Sequence, residues 1–533
     1  MATQILNTDI AVVKRQGRSR RLSAAWIAMA IAAVSWGAMM AYYSFAYPCH
    51  FFWQEQNQIF LADISWLSTY FDKPGWLGCM VGDYLTQFYY YLYAGPAILA
   101  LVIALAMIAA WAGVKKISEI GALAVMVVVG IWMFFSSLNA YCGLDAMVCV
   151  TGGIASYLLI SRLKGWGALL LPLAFWLFGV GAIFLSALIA ANALKDNWKR
   201  GIAVTAACFA IAFATPAVAK SYYTLPYAHC LVYPKMPVPT APQRLLEQNR
   251  AIDNAYYFGQ YDRAIQLAKQ VDQVTPVSSF YYYLANAQRG MLPDSLLAYP
   301  LRDLGTLTKI GETTPRSVIN IMNELYWAVG DMMMTERAAM MHNVFSPRNR
   351  NVRMLKRLAE ANLVSRDTVA ALKYLRILDK TKVYRAWVQD HWPGKMSDRA
   401  LAEIESKRAM ANVQDTLRLG DNCRTILSEL LATNPDNVVS LDYLLCTDLL
   451  LKQMDVFKAD YDRYCMERGK PRTKSLYQQA LMIYLAGTNA PAEEWKRYIT
   501  RDDEMMRFRD YNQQRGSKKY ADTYWYYFDT TKP

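Results

Sequence analysis

The residues best able to do chemistry gather in one stretch, CHFFWQEQNQIFLADISWLSTYFDKPGWLGCMVGDYLTQFYYY, which starts at Cys49. Within it four acids, Glu55, Asp63, Asp72 and Asp83, stand against a single base, Lys73. A carboxylate at the dry edge of a membrane can have a raised pKa and accept the proton of a hydroxyl group. The plainer role for Glu55 is to solvate a loop helix whose aromatic side chains anchor it at the interface. Cys49 and Cys79 bracket the stretch, and a disulfide between them would close a loop of about 30 residues and pin its helices. Cys49 with His50, and His229 with Cys230, stand just beyond the first and last apolar runs and could meet as a metal site. Packing is the simpler role for both pairs, and no metal ligands are assigned. The nine cysteines form no C-x-x-C pair and no zinc-finger spacing.

What must position these residues is a series of apolar runs. After Lys14, Arg15, Arg18, Arg20 and Arg21, residues 22–46 are apolar for about 25 positions, enough to cross a bilayer at about 1.5 Å per residue. Ser44 and Ala46 mimic a signal-peptidase site, but the run is long and more spans follow, so it reads as an uncleaved anchor. Further runs cover 86–114, 120–137, 143–161, 166–194 and 201–219, which makes six to seven spans or re-entrant segments. The positive-inside rule puts the basic tail 1–21 in the cytoplasm, and Lys115, Lys116, Arg162 and Lys164 agree with it; the loop 47–85 is then outside. Phe51, Phe52, Ile59, Phe60, Trp66, Leu67 and Tyr70 predict amphipathic helices in that loop, broken at Pro74 and Gly75.

The run 166–194 is interrupted by Pro172, Gly179 and Gly181 and followed by Lys195, Lys199 and Arg200. Crossing once, it puts that cluster outside and the C-terminal half in the cytoplasm. Broken into two short or re-entrant segments, it keeps the cluster inside and sends the C-terminal half out. We adopt the second arrangement as the expectation.

Composition divides the chain the same way. Residues 1–219 form the transmembrane domain with its tail and carry 13 of the 57 Lys and Arg and 8 of the 43 Asp and Glu. A Pro- and Tyr-rich linker, 220–241, leads to a soluble domain over 242–533 that is rich in helix formers and shows no alternating strand pattern. This excludes a disordered chain, a disulfide scaffold and a fully cytosolic enzyme. The net charge of +14 is spread over both halves with no long basic tract after the tail, so no nucleic-acid partner is expected.

In the stretch AYYFGQYDRAIQLAKQVDQVTP, Gly259, Tyr261, Ala264 and Pro276 are spaced so that a small residue lets two antiparallel helices approach, an aromatic fills the gap and a proline ends the second helix. The pattern resembles the tetratricopeptide repeat. GDNCRTILSELLATNPDN repeats it with Cys423 and Pro435, and MLKRLAEANLVSRDTVAALKYLRIL reads as a degenerate pair. The resemblance implies an irregular helical-repeat domain that presents a concave face to partners; a packed helical cover for the membrane part is the plainer alternative.

A first span with a basic tail, a long outer loop with an early carboxylate, interfacial helices and then more spans is similar to the layout of GT-C type membrane glycosyltransferases. The phrases EQNQIFL, PGWL and LTQFYYY also resemble an uncharacterised family of Bacteroidota inner-membrane proteins with helical C-terminal halves. The GT-C resemblance implies a polyprenyl-phosphate-linked sugar donor. By order along the chain it gives the base or metal-holding carboxylate to Glu55, with Asp63 second, and leaves Asp83 and Lys73 to bind substrate. The cofactor stays open, with a divalent metal among the options. The adjacent acidic pair of many GT-C members is absent, and they have more spans.

There is no P-loop, dinucleotide fingerprint, H-E-x-x-H or G-x-S-x-G. GVGAIF at 179–184 reads as packing or a hinge, and Met332–Met334 with Met340 and Met341 as repeat core. Asp145 is almost the only charge within the spans and falls near their outer ends, which disfavours a proton-coupled transporter. The expectation is an all-α protein: a polytopic bacterial inner-membrane domain with a cytoplasmic N-terminus, followed by a periplasmic tetratricopeptide-like domain. It would act as a glycosyltransferase or oligosaccharyltransferase whose repeats engage a protein or glycan acceptor. The rival is a non-enzymatic membrane-anchored scaffold of an envelope complex.

Overall fold

The computed structural model describes residues 2–302, 304–305, 316–346, 350–411 and 422–531, with side chains from 24 onward except those of 316 and 317. The side chains of the basic cluster at Lys14 to Arg21 lie outside that set. The protein is all-α, 76% helical, with no strand among the described residues. It divides into two compact units, one of Met1–Arg244 with Lys380–Val383, the other of Leu245–Asp379 with Tyr384–Pro533.

In the first unit α1 (Ala2–Phe45) leads to three short helices, α2 (Cys49–Gln56), α3 (Ile64–Ser68) and α4 (Trp76–Thr86). Long helices follow: α5 (Ala94–Val114), α6 (Glu119–Ser137) and α7 (Leu144–Ile160). Then come α8 (Leu171–Phe178), α9 (Gly181–Asp196), α10 (Trp198–Tyr223) and α11 (Tyr227–Leu231). Local chemistry sets the starts: Ser118 caps α6 by accepting from the Gly121 N–H at 3.1 Å, and Asn197 caps α10 by accepting from the Arg200 N–H at 3.1 Å.

Among the described residues five segments are long and apolar enough to cross a membrane: Ala24–Phe45, Ala94–Val114, Glu119–Ser137, Leu144–Phe178 and Trp198–Tyr223. Large apolar side chains such as Trp26, Val34, Ile131 and Phe209 project from them into the surroundings, which is consistent with a membrane protein.

The count is one short of the six expected because 166–194 is not a single helix. It breaks at Gly179, whose φ of +51° favours a residue without a side chain, into helices of 8 and 16 residues, too short to span. Contacts fix its course. The Thr151 hydroxyl reaches the Val102 carbonyl and Tyr157 lies beside Gly113, so α5 and α7 run in the same direction. The segment 161–178 then turns back, until the Gly75 N–H bonds the carbonyls of Phe175 (3.2 Å) and Trp176 (3.1 Å). From there α9 descends again beside α7, Gly181 against Gly153 and Leu188 against Gly113, and Asn192 donates to the Gly113 carbonyl at 3.0 Å. The piece is therefore a half-depth hairpin, and both of its ends lie at the pole where α5 ends. α10 runs back the other way, and the stretch after it bonds first the tip of the hairpin, Val180 N–H to the Tyr233 carbonyl (2.7 Å), and then the end of α6, Thr240 N–H to the Phe135 carbonyl (3.1 Å).

The second unit is a succession of antiparallel helices. It begins with α12 (Arg244–Tyr257), α13 (Tyr261–Lys269), α14 (Pro276–Gln288), α15 (Leu292–Ser295), α16 (Arg316–Val329) and α17 (Met332–Phe345). It continues with α18 (Val352–Val364), α19 (Thr368–Asp379), α20 (Arg385–Asp390) and α21 (Asp398–Met410). The last seven are α22 (Cys423–Thr433), α23 (Val438–Leu450), α24 (Met454–Tyr461), α25 (Ser475–Gly487), α26 (Ala492–Tyr498), α27 (Asp502–Gln513) and α28 (Tyr524–Thr530). Gly259 turns the chain between α12 and α13 at φ +70°, and Ala264 is fully buried beneath them. Pro276 does not end α13, which stops at Lys269. It opens α14, where Thr275 and Ser278 form a reciprocal cap and proline's missing N–H costs nothing. Met332 and Met334 are core, but Met340 is 46% exposed, because it falls on the outer face of α17.

Candidate functional site

The loop 47–85 folds onto the end of the first unit's bundle. Helix α2 buries His50, Phe51, Phe52, Glu55 and Gln56. Phe51 fits where Gly95 has no side chain and meets the edges of Tyr43 (5.5 Å) and Tyr89 (5.0 Å). Polar side chains stitch the same region to the ends of the long helices. Tyr47 donates to the Leu138 carbonyl at 3.0 Å, Tyr43 bonds the Ser137 hydroxyl, and the Gln54 amide reaches the Cys142 carbonyl (2.6 Å) and His50 Nε2 (2.9 Å).

The four loop acids have different surroundings. Glu55 is only 2% exposed, and its Oε2 accepts from Gln56 Nε2 at 2.6 Å. Asp83, on α4, is also buried; its Oδ2 accepts from the Tyr70 hydroxyl at 2.9 Å and its backbone carbonyl accepts from Gln58 Nε2 at 3.1 Å. Asp63 caps α3 by accepting from the Ser65 N–H at 2.9 Å and pairs with Lys380, whose hydrogen bond holds its carboxyl well below the usual carboxylate range. Asp72 is exposed and Lys73 half-buried beside Pro74. The structure thus gathers Glu55 and Asp83 into the buried region and leaves Asp63, Asp72 and Lys73 outside it.

Of the two cysteines that bracket the loop, Cys79 is buried in the α4 core and Cys49 lies half-buried at the start of α2. Cys230 belongs to a separate packing cluster around α8 to α10, and His229 is exposed. Among the described residues no group of three or more His, Cys, Asp and Glu side chains is arranged to hold a metal ion.

Asp145 lies in the first turn of α7, buried where α4 crosses it. The crossing is close because a side chain on Gly82 would come within 2.3 Å of the Asp145 Cα, and one on Gly78 within 2.4 Å of Cys149 Sγ. Charge counting missed the neutral partners Gln54, Gln56, Gln58, His50 and Tyr70. The signal for them is the run QEQNQ, five polar residues packed between aromatic and aliphatic ones.

Two cavities flank this region. One of about 380 Å³ is lined by Phe60, Asp63, Leu67, Met80 and Tyr84. The other, about 290 Å³ and nearly all apolar, lies between α1, α5 and α6, lined by Met39, Tyr42, Met107, Gly130, Ile131 and Phe134. No curated protein and no solved structure matches the chain. One protein-family model matches at 22–249 and again at 238–531, together nearly the whole length, and the chain belongs to that family, the family of unknown function DUF6057.

Proposed function

We propose that the protein is a membrane glycosyltransferase or oligosaccharyltransferase of GT-C type that takes its sugar from a polyprenyl-phosphate carrier. The observation that carries the reading is the apolar groove between α1, α5 and α6, which runs along the flank of the bundle to Tyr42, one residue from the Tyr43 that packs on Phe51 of α2. A groove of that chemistry suits an isoprenoid chain, with the carrier's head at the pole capped by the loop. Glu55 is the acid given to proton transfer and Asp83 the one given to substrate binding. The helices of the second unit act as tetratricopeptide-like repeats that engage the protein or glycan acceptor. Lys115, Lys116, Arg162, Lys164, Lys195, Lys199 and Arg200, at the pole where α5 ends, face the cytoplasm of a bacterial inner membrane, and the loop 47–85 and the second unit are periplasmic.

A photoreactive polyprenyl-phosphate analogue, applied to the purified protein, tests this. It should label the peptides spanning Ser35–Tyr42 and Val127–Phe134, and Ala38→Trp should abolish the labelling by filling the groove. Labelling that ignores the substitution would remove the lipid-carrier reading. One observation favours the rival scaffold: Glu55 is held by an amide at 2.6 Å and is almost without exposed surface, as a structural acid would be.

A further inference from the structure

In the second unit the α18 sequence VRMLKRLAE puts Arg353 and Arg357 one turn apart, and Lys356 and Glu360 one turn apart beside them. Arg353 forms a fork on Asp253 of α12 (2.8 and 2.9 Å) and also reaches Glu324 of α16 at 2.9 Å. Arg357 donates to Glu324 at 3.0 Å and to Glu360 at 3.2 Å, and Lys356 pairs with Glu360 at 3.4 Å. The fourth cation is Lys407 of α21. Its ammonium donates to the Trp327 carbonyl at 3.0 Å and lies 5.0 Å from the centre of the Trp327 ring, on which the Arg357 guanidinium also stacks at 4.3 Å. Among the described residues no carboxylate pairs with Lys407, so four cations face three carboxylates.

An unbalanced charge in so sheltered a place is costly, and either a lost proton or a captured anion relieves it. The donors for an anion are present. Lys407 keeps two ammonium hydrogens beyond the one given to Trp327, and the buried Arg357 Nε–H has no acceptor. The site is reachable, because Lys356 and Glu360 keep 20% and 17% of their side-chain surface open and Trp327, Trp387 and Tyr257 are all half-exposed around it. Three donors and one excess charge match a single carboxylate better than a phosphate, which carries about −1.5 to −2 and three strong acceptors.

We propose that Lys407 and Arg357, both on the ring of Trp327, bind a carboxylate of an acidic peptide segment. The assignment is independent of the transferase reading. Burial and the neighbouring Arg357 push the Lys407 ammonium down to about 8, so near neutral pH the site holds the charge an anion would answer.

The test is site-resolved amine labelling of the full-length protein in detergent at pH 8, read by mass spectrometry, with a hexaglutamate peptide, its hexaglutamine counterpart and glucuronate. Hexaglutamate should slow labelling of Lys407 by about tenfold and leave Lys519 unchanged, and its affinity should fall at least about tenfold in Lys407→Gln while surviving in Lys407→Arg. Equal protection by hexaglutamine, no protection at all, or undiminished affinity in Lys407→Gln would overturn the site. Protection by glucuronate alone would overturn the peptide as its ligand. If Lys407→Gln does not fold, the labelling of the native chain still decides.

Discussion

Glu55 and Asp63 are eight positions apart in the loop, yet one is buried and the other is paired with a lysine at the surface. Asp63 is committed to Lys380 and to the cap of α3 and is held ionised, so it is a poor proton acceptor. Glu55 is shut away, with its Oε2 accepting from Gln56 Nε2 at 2.6 Å, and Gln at that position would keep both the size and an acceptor oxygen for Gln56. On the transferase reading, Glu55→Gln therefore leaves the fold intact and lowers the rate by at least on the order of 100-fold, whereas Asp63→Asn stays within about twofold. The comparison is glycan attachment in cells at matched protein level. Activity that survives Glu55→Gln but not Asp63→Asn would transfer the role to Asp63, and two harmless substitutions would leave the scaffold. The acids themselves were legible in the sequence. Which of them is buried was not, because that depends on α2 folding back beneath Gly95, a contact between positions over 40 residues apart.

At the scale of elements, apolar length and glycine placement carried most of the information. The run at 120–137 became α6, that at 86–114 became α5 only from Ala94 onward, and the interruption at Pro172 to Gly181 became the break at Gly179. The sequence did not reveal why the break is tolerated. The answer is glycine on both sides of the contact: a side chain on Gly153 would come within 2.1 Å of the Gly181 carbonyl oxygen, and one on Gly181 within 2.1 Å of the Cys149 carbonyl oxygen. Backbone cannot give way as a flexible side chain can. Gly181→Val should accordingly cost about 2 kcal/mol or more and lower the thermal midpoint in detergent by several degrees. Gly37→Val on α1, where an added methyl would meet nothing within 4 Å, is the matched control and should leave the midpoint in place. Equal midpoints for the two variants would mean that the α7–α9 contact is not tight. In the second unit the spacing from Gly259 to Ala264 found the α12–α13 hairpin. The ion-pair web on α18 leaves no local signature because its partners come from α12 and α16, too far away in sequence for any spacing to reveal them.

For the whole molecule, the course of 166–194 bears on which side of a membrane the chain would continue. Asn192 bonds the Gly113 carbonyl at 3.0 Å, so the end of α9 shares a pole with the end of α5. Lys115, Lys116, Arg162, Lys164, Lys195, Lys199 and Arg200 follow helix ends at that pole, whereas the loop 47–85 at the other has the single base Lys73. Such an asymmetry sets orientation in membranes, basic side inward. Had 166–194 crossed once, Lys195, Lys199 and Arg200 would have stood against the rule; as a hairpin it satisfies the rule with every basic cluster at once. We therefore expect a green fluorescent reporter fused after Lys199 to fluoresce in the cytoplasm. A phosphatase reporter fused after Thr240, beyond the return of α10, should be active only outside it. Phosphatase activity after Lys199 together with fluorescence after Thr240 would mean that the segment crosses once in the cell, would place the second unit in the cytoplasm, and would deprive it of any acceptor presented on the outer side.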